Sequence, residues 1–173
     1  MSRAIDYASL TLMDALDLAI LIEEEAKERY EEFVDQMELH HTPDAAAFFR
    51  LMVVNETKHG MQLAEKRRAL FGNESSRMRR EMLWDVEAPD YGEARAFMSP
   101  RQAMETAMRS EVKAHDFFAA ALDRISDPDV RALFEELREE EVEHKHLLAK
   151  EMAKLPPTPD VNPDDYADEP VAQ

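Results

Sequence analysis

The sequence predicts an all-α protein, a four-helix bundle whose second and third helices are joined by one long crossover connection. Only three glycines occur in 173 residues, against an abundance of Ala, Leu, Met, Glu and Arg, the stronger helix formers. Apolar residues recur at three- and four-residue steps through four long segments. Helix starts are marked three times by a capping residue followed by proline, at Thr42-Pro43, Ser99-Pro100 and Asp127-Pro128.

The first helix is expected over residues 12–40. It lacks the proline but has Thr11 with Asp14 three residues on, a capping-box start. The second is expected over 43–71, with Gly72 as its stop. The third and fourth are expected over 100–125 and 128–155. Links within the first and second pairs are very short, so each pair forms an antiparallel hairpin. The stretch 72–99 is too long for a turn, and a short helix is expected around Ser75–Trp84. The chain thus divides into a bundle, residues 1–155, and a tail, 156–173. The tail holds five prolines and five acids with no Lys or Arg, and is expected to stay disordered.

Composition excludes several classes of function. The chain has no cysteine, so it has no disulfide, thiolate metal site or cysteine nucleophile. With 38 Asp+Glu against 21 Lys+Arg, the net charge of −17 argues against nucleic-acid and anionic-membrane partners. No segment approaches the ~20 apolar residues of a membrane span, and no signal-peptide core follows Met1. A cytoplasmic protein is expected.

Each apolar stripe is interrupted at its middle by ionisable groups. The first runs Leu16, Ala19, Ile20, Glu23, Ala26, Tyr30, Phe33 and Met37. The second runs Phe49, Met52, Glu56, His59, Leu63 and Leu70. The third contains Met104, Ala107, Met108, Glu111, Ala114, Phe118 and Leu122. The fourth contains Val130, Phe134, Leu137, Glu141, His144, Leu148, Met152 and Leu155. Four carboxylates and two imidazoles therefore converge on one core, which is costly unless they are paired or bind metal. The pattern also repeats: Ala19, Glu23, Ala26 and Tyr30 match Ala107, Glu111, Ala114 and Phe118, and Phe49, Glu56, His59 and Leu63 match Phe134, Glu141, His144 and Leu148. Each hairpin supplies one Glu and one Glu-x-x-His, whose i, i+3 spacing puts both side chains on one helix face. The chain has two other such motifs, Glu38/His41 and Glu143/His146, but these lie off the stripe.

Two Glu plus two Glu-x-x-His is the di-metal pattern of ferritin-like bundles. Ala19, Glu23 and Tyr30, with Phe134, Leu137, Glu141 and His144, resemble the rubrerythrin family, and the resemblance covers residues 12–155. It implies a ferritin-like four-helix bundle holding two iron ions (Fe2+/Fe3+), with manganese or zinc as substitutes. It implies that Glu56 and Glu141 bridge the ions, that Glu23 and Glu111 are terminal ligands, and that His59 and His144 bind one ion each. The implied activity is reduction of hydrogen peroxide or O2, in a homodimer or larger homo-oligomer. Tyr30 is, on the resemblance, a hydrogen-bond donor near the metals; a plain core residue is the equal alternative.

Departures from the family matter. Without a cysteine-bearing rubredoxin domain, electrons must come from an external donor protein. Family members carry a further Glu three residues after the third-helix ligand, where this chain has Ala114. Thr57 stands where bacterioferritins place a haem-ligating methionine, so no haem site is implied. Asn55, Glu140, His115, His40, His41 and His146 read as flank or surface residues, and Arg77–Arg80 as a local salt-bridge patch. Ferroxidase or iron storage, and a non-redox metal-binding module, are the alternative functions. Exchange of hairpins between chains across 72–99 stays open.

Overall fold

The computed structural model describes residues 5–83, 86–93, 95 and 97–156. Its four long helices are α1 (Leu12–Leu39), α2 (Pro43–Phe71), α3 (Pro100–Leu122) and α4 (Pro128–Met152), with no strand among the described residues. The capping boxes expected at Thr11/Asp14 and Ser99/Gln102 both form, and Asp127 caps α4. Thr42 does not cap α2; its hydroxyl donates instead to the Met37 carbonyl at 3.1 Å, tying off α1. The turn between α1 and α2 passes through His41 at φ 57°, and α2 stops at Gly72, φ 59°. The third and fourth helices end three residues earlier than expected, and Arg101 donates to the carbonyls of Met152, Leu155 and Pro156, closing the end of α4. Residues 157–173, most of the expected tail, lie outside the described residues.

α1 packs along α2, and α3 along α4, so the expected hairpins form; the two meet through α2–α3 and α1–α4 contacts. The connection between them runs the length of the bundle beside α1. Arg77 binds Asp14 near the start of α1, Arg80 pairs with Glu28 at its middle, and Phe97 lies on His40 at its end, centroids 5.9 Å apart. α3 therefore starts at the end where α2 starts, and the two run parallel. The helix expected around Ser75–Trp84 is not there: only a 3-10 turn, Arg80–Met82, forms, and Trp84 is outside the described residues. Arg67 grips the carbonyls of Gly72 and Glu74, and Arg77 is drawn to Asp14, so the chain is pulled out along α1 instead of coiling.

The apolar core is split in two. One cluster, with Leu16, Ile22, Phe118 and Phe134, lies toward the start of α1; the other packs Tyr30, Phe33, Phe49 and Met37 toward its end. Leu70, assigned to the stripe from sequence, is 55% exposed, because the inner face of α2 there is held by Arg67, buried against Asp17, and by Phe71, packed on the core.

Candidate metal centre

Between the two apolar clusters lies a layer of acid. Glu23 comes from α1, Glu56 from α2, Glu111 from α3 and Glu141 from α4, and all four are at most 6% exposed. One face of each helix aims its carboxylate inward because that register is continuous with the apolar stripe. His59 and His144, one turn on from Glu56 and Glu141, are half-buried. The structure thus brings together all six residues singled out from the repeat.

The six form two matched triads. In the first, Glu23, Glu56 and His59 place ligand atoms within 4.8 Å of one another; in the second, Glu111, Glu141 and His144 do the same. His59 Nδ1 lies 3.9 Å from Glu23 Oε2 and 3.8 Å from Glu56 Oε2. His144 Nδ1 lies 3.1 Å from Glu111 Oε2 and 3.8 Å from Glu141 Oε2. The imidazoles stack in parallel, centroids 4.8 Å apart and planes 4° apart, so each hairpin's triad faces the other's.

A seventh residue joins them that sequence reasoning missed. Glu87, 2% exposed, comes from the crossover connection and groups with Glu56 and Glu111 within the same 4.8 Å. Its signal was faint: one acid inside the apolar run Val86, Ala88, Pro89 of a loop whose path the sequence does not determine. Ala114, where the family has its further Glu, is fully buried and offers no ligand.

Electrostatics show the strain of this layer without cations. Burial raises Glu56 to about 7, with the Glu111 charge adding to it. Burial raises Glu141 to about 8, against the opposing pull of the nearby His144. Burial also raises Glu23, aided by the Glu56 charge, and raises Glu87, aided by Glu23. Burial disfavours a charged His144, but the Glu111 and Glu141 carboxylates outweigh it and lift it to about 11. His59 is pushed down to about 4 by burial and then by the neighbouring His144. Glu23 Oε2, Glu56 Oε2, Glu111 Oε1 and Glu141 Oε2 are buried with no hydrogen-bond partner among the described residues. Orphaned acceptors of this kind cost about 1–3 kcal/mol each unless something binds them. Two divalent ions fit this donor set: hard oxygen ligands, one imidazole per triad and four charges to neutralise.

Tyr30 lies in the adjoining core, fully buried and stacked on Phe49 at 5.9 Å. Its hydroxyl has no hydrogen-bond partner among the described residues. Burial, then the Glu111, Glu56 and Glu87 charges, hold its proton firmly on. Asn55 is exposed, and half-buried His115 turns to Asp116 at 3.0 Å, so neither reaches the layer. His41 and His146 are exposed as expected; His40 is half-buried beneath Phe97. Arg77 and Arg80 form the expected salt bridges, with Asp14 and Glu28.

The two sides of the layer differ. On the α1–α3 side the crossover covers it. On the α2–α4 side a cavity of about 320 Å³ reaches His59, lined also by Leu63, Leu137 and Glu140, and the Lys66–Glu136 ion pair, 2.7 Å, spans the two helices there.

This is the architecture of a carboxylate-rich ferritin-like bundle, a class defined by such a layer inside four helices. The rubrerythrin family model matches residues 14–152 and, separately, 102–172, and the chain belongs to the rubrerythrin family. The crystal structure of an uncharacterized conserved protein from Magnetospirillum magnetotacticum MS-1 is similar, with a TM-score of 0.66 and 32% identity over 88% of this chain and all of that one. No curated protein sequence matches the chain. Among the described residues, no helix is long and apolar enough to cross a membrane.

Proposed function

We propose that this protein is a non-haem di-iron oxidoreductase that reduces hydrogen peroxide or O2. The observation that carries the reading is the pair of matched Glu–Glu–His triads with stacked imidazoles. Glu23, Glu56 and His59 would hold one ion, and Glu111, Glu141 and His144 the other. When bound, iron supplies the one-electron steps that peroxide reduction needs. The chain's own residues do the rest. The carboxylates release their protons to bind the ions and so define the site's charge. The α2–α4 cavity admits a small oxidant to the histidine side, while the apolar clusters and the crossover keep bulk water from the other. Tyr30 keeps its phenolic proton in the core adjoining the carboxylates. An external donor protein is the proposed source of electrons.

We further propose a cytoplasmic homodimer or larger oligomer, with α2 as the contact: Leu51, Val54 and Met61 lie on its outer face, each at least 63% exposed. The test of function is anaerobic loading with Fe(II), then stopped-flow absorbance on mixing with peroxide or with air-saturated buffer. Two irons per chain oxidised faster by peroxide supports the reading. Faster oxidation by O2 that continues past two irons supports ferroxidase and storage. No oxidation by either leaves a non-redox metal module.

A further inference from the structure

Glu87 sits at a place where a loop has no structural reason to put a charge. It is fully enclosed, and the groups it approaches most closely for metal sharing are Glu56 and Glu111, both acids. Burying a carboxylate against carboxylates is strongly unfavourable on its own. Yet the segment is deliberately held. Lys113 on α3 donates to the Ala88 carbonyl at 2.8 Å, and Arg29 on α1 donates to the Pro89 carbonyl. The Arg29 guanidinium also lies over the Tyr91 ring, 3.2 Å from its centroid. Leu83, Val86 and Ala88 are buried on either side. These anchors, one from each hairpin, press residue 87 inward between Glu56 of the first hairpin and Glu111 of the second. Glu56 and Glu111 each also carry a buried oxygen with no hydrogen-bond partner among the described residues. Unlike the six members of the two triads, Glu87 approaches both hairpins from outside them.

We propose that Glu87 is a seventh metal ligand, delivered by the crossover connection, and that metal loading locks this connection onto the bundle. The inference rests on the di-metal reading above. Its charge logic is simple: five carboxylates exceed what two divalent ions neutralise, so the site is matched to a pair of higher total charge. The ligand it takes is the metal pair itself, and its consequence is mechanical, because a bound ion would tie residue 87 to helices from both hairpins.

The probe is Co(II), whose visible absorption reports coordination, with the full chain and its Glu87→Gln variant. Gln keeps the shape and removes the anionic oxygen, so the helices should persist by circular dichroism; Glu87→Asp serves as a second variant that retains the charge. Wild type is expected to bind two Co(II), and Glu87→Gln to show an altered spectrum with about tenfold or greater loss of affinity for one ion. Glu87→Asp is expected to recover part of both. Hydrogen exchange of amides 86–93 is expected to slow on Co(II) addition in wild type, and not in Glu87→Gln, while slowing near His144 is kept in both. An unchanged Co(II) spectrum and equal slowing of 86–93 in Glu87→Gln would overturn the seventh-ligand proposal and leave the six-residue site standing. Failure of wild type to bind two ions would overturn both.

Discussion

Metal binding to this site should be strongly coupled to proton release, and the coupling can be worked from the acid layer. Without metal, Glu56 titrates near 7 and Glu141 near 8, while His144 holds its proton to about 11. Each must lose its proton to act as a ligand. Below pH ~7, loading two ions therefore displaces about three protons; between about 7 and 8 it displaces about two; above about 8, about one. Raised Glu23 and Glu87 add to these numbers. The product of the two binding constants should rise about a thousandfold per pH unit below 7, or about thirtyfold for each ion, and only about tenfold per pH unit above 8. Mn(II) is a suitable probe because it is redox-silent in this range. Competition against a chromophoric chelator at several pH values measures the slope, and a pH dye in weak buffer counts the protons. Binding that is flat between pH 6 and 8, or release of less than about half a proton per ion, would refute the reasoning, since the layer would then be ionised before metal arrives.

Other predictions follow from the same geometry. The metal-free protein should lose stability as pH rises from about 6.5 to 8: Glu56 and Glu141 have folded values above their unfolded ones, so their contribution is present at low pH and lost as pH passes through those values. A fall in Tm of several degrees is expected, cancelled by metal, and a flat metal-free Tm would contradict it. His59, held low at about 4, acts oppositely below 6.5, so the window is read above that pH. Tyr30→Phe removes a buried hydroxyl without a partner and should raise the metal-free Tm by roughly 2–4 °C; a fall would mean that the phenol is satisfied. Phe49→Ala should cost about 3–5 kcal/mol by chemical denaturation, because Phe49 is fully buried and touches the rings of Tyr30, Phe33 and Phe48. A loss below about 1 kcal/mol would show that this end of the core is loosely packed.

Much of this was legible in the chain because helix periodicity and repetition are local signals. The four helices, three of their caps and the convergence of Glu23, Glu56, His59, Glu111, Glu141 and His144 follow from register along single helices. What was not legible depends on tertiary contacts. Thr42 has the chemistry of a cap, but its hydroxyl found the Met37 carbonyl. The helix expected near Ser75 lost to the Arg67 and Arg77 tethers. Leu70 continues the seven-residue step from Leu63, but Arg67 and Phe71 hold the inner face of α2 there. Glu87 lies in a loop, where no period says which side chains point inward; only the anchors from Arg29 and Lys113 place it in the acid layer. The matching Phe118 and Tyr30 show that the repeat preserves shape more closely than function, with one half carrying a phenol and the other a plain ring.

The central claim is that six residues from two hairpins hold two metal ions. Anaerobic Fe(II) titration of wild type, Glu56→Ala and His144→Ala, with helicity followed by circular dichroism, tests it most directly. The account predicts two ions per wild-type chain, and loss of at least one of them in each variant while the helices persist. Two tightly bound ions in both variants, or fewer than two in wild type, would contradict it.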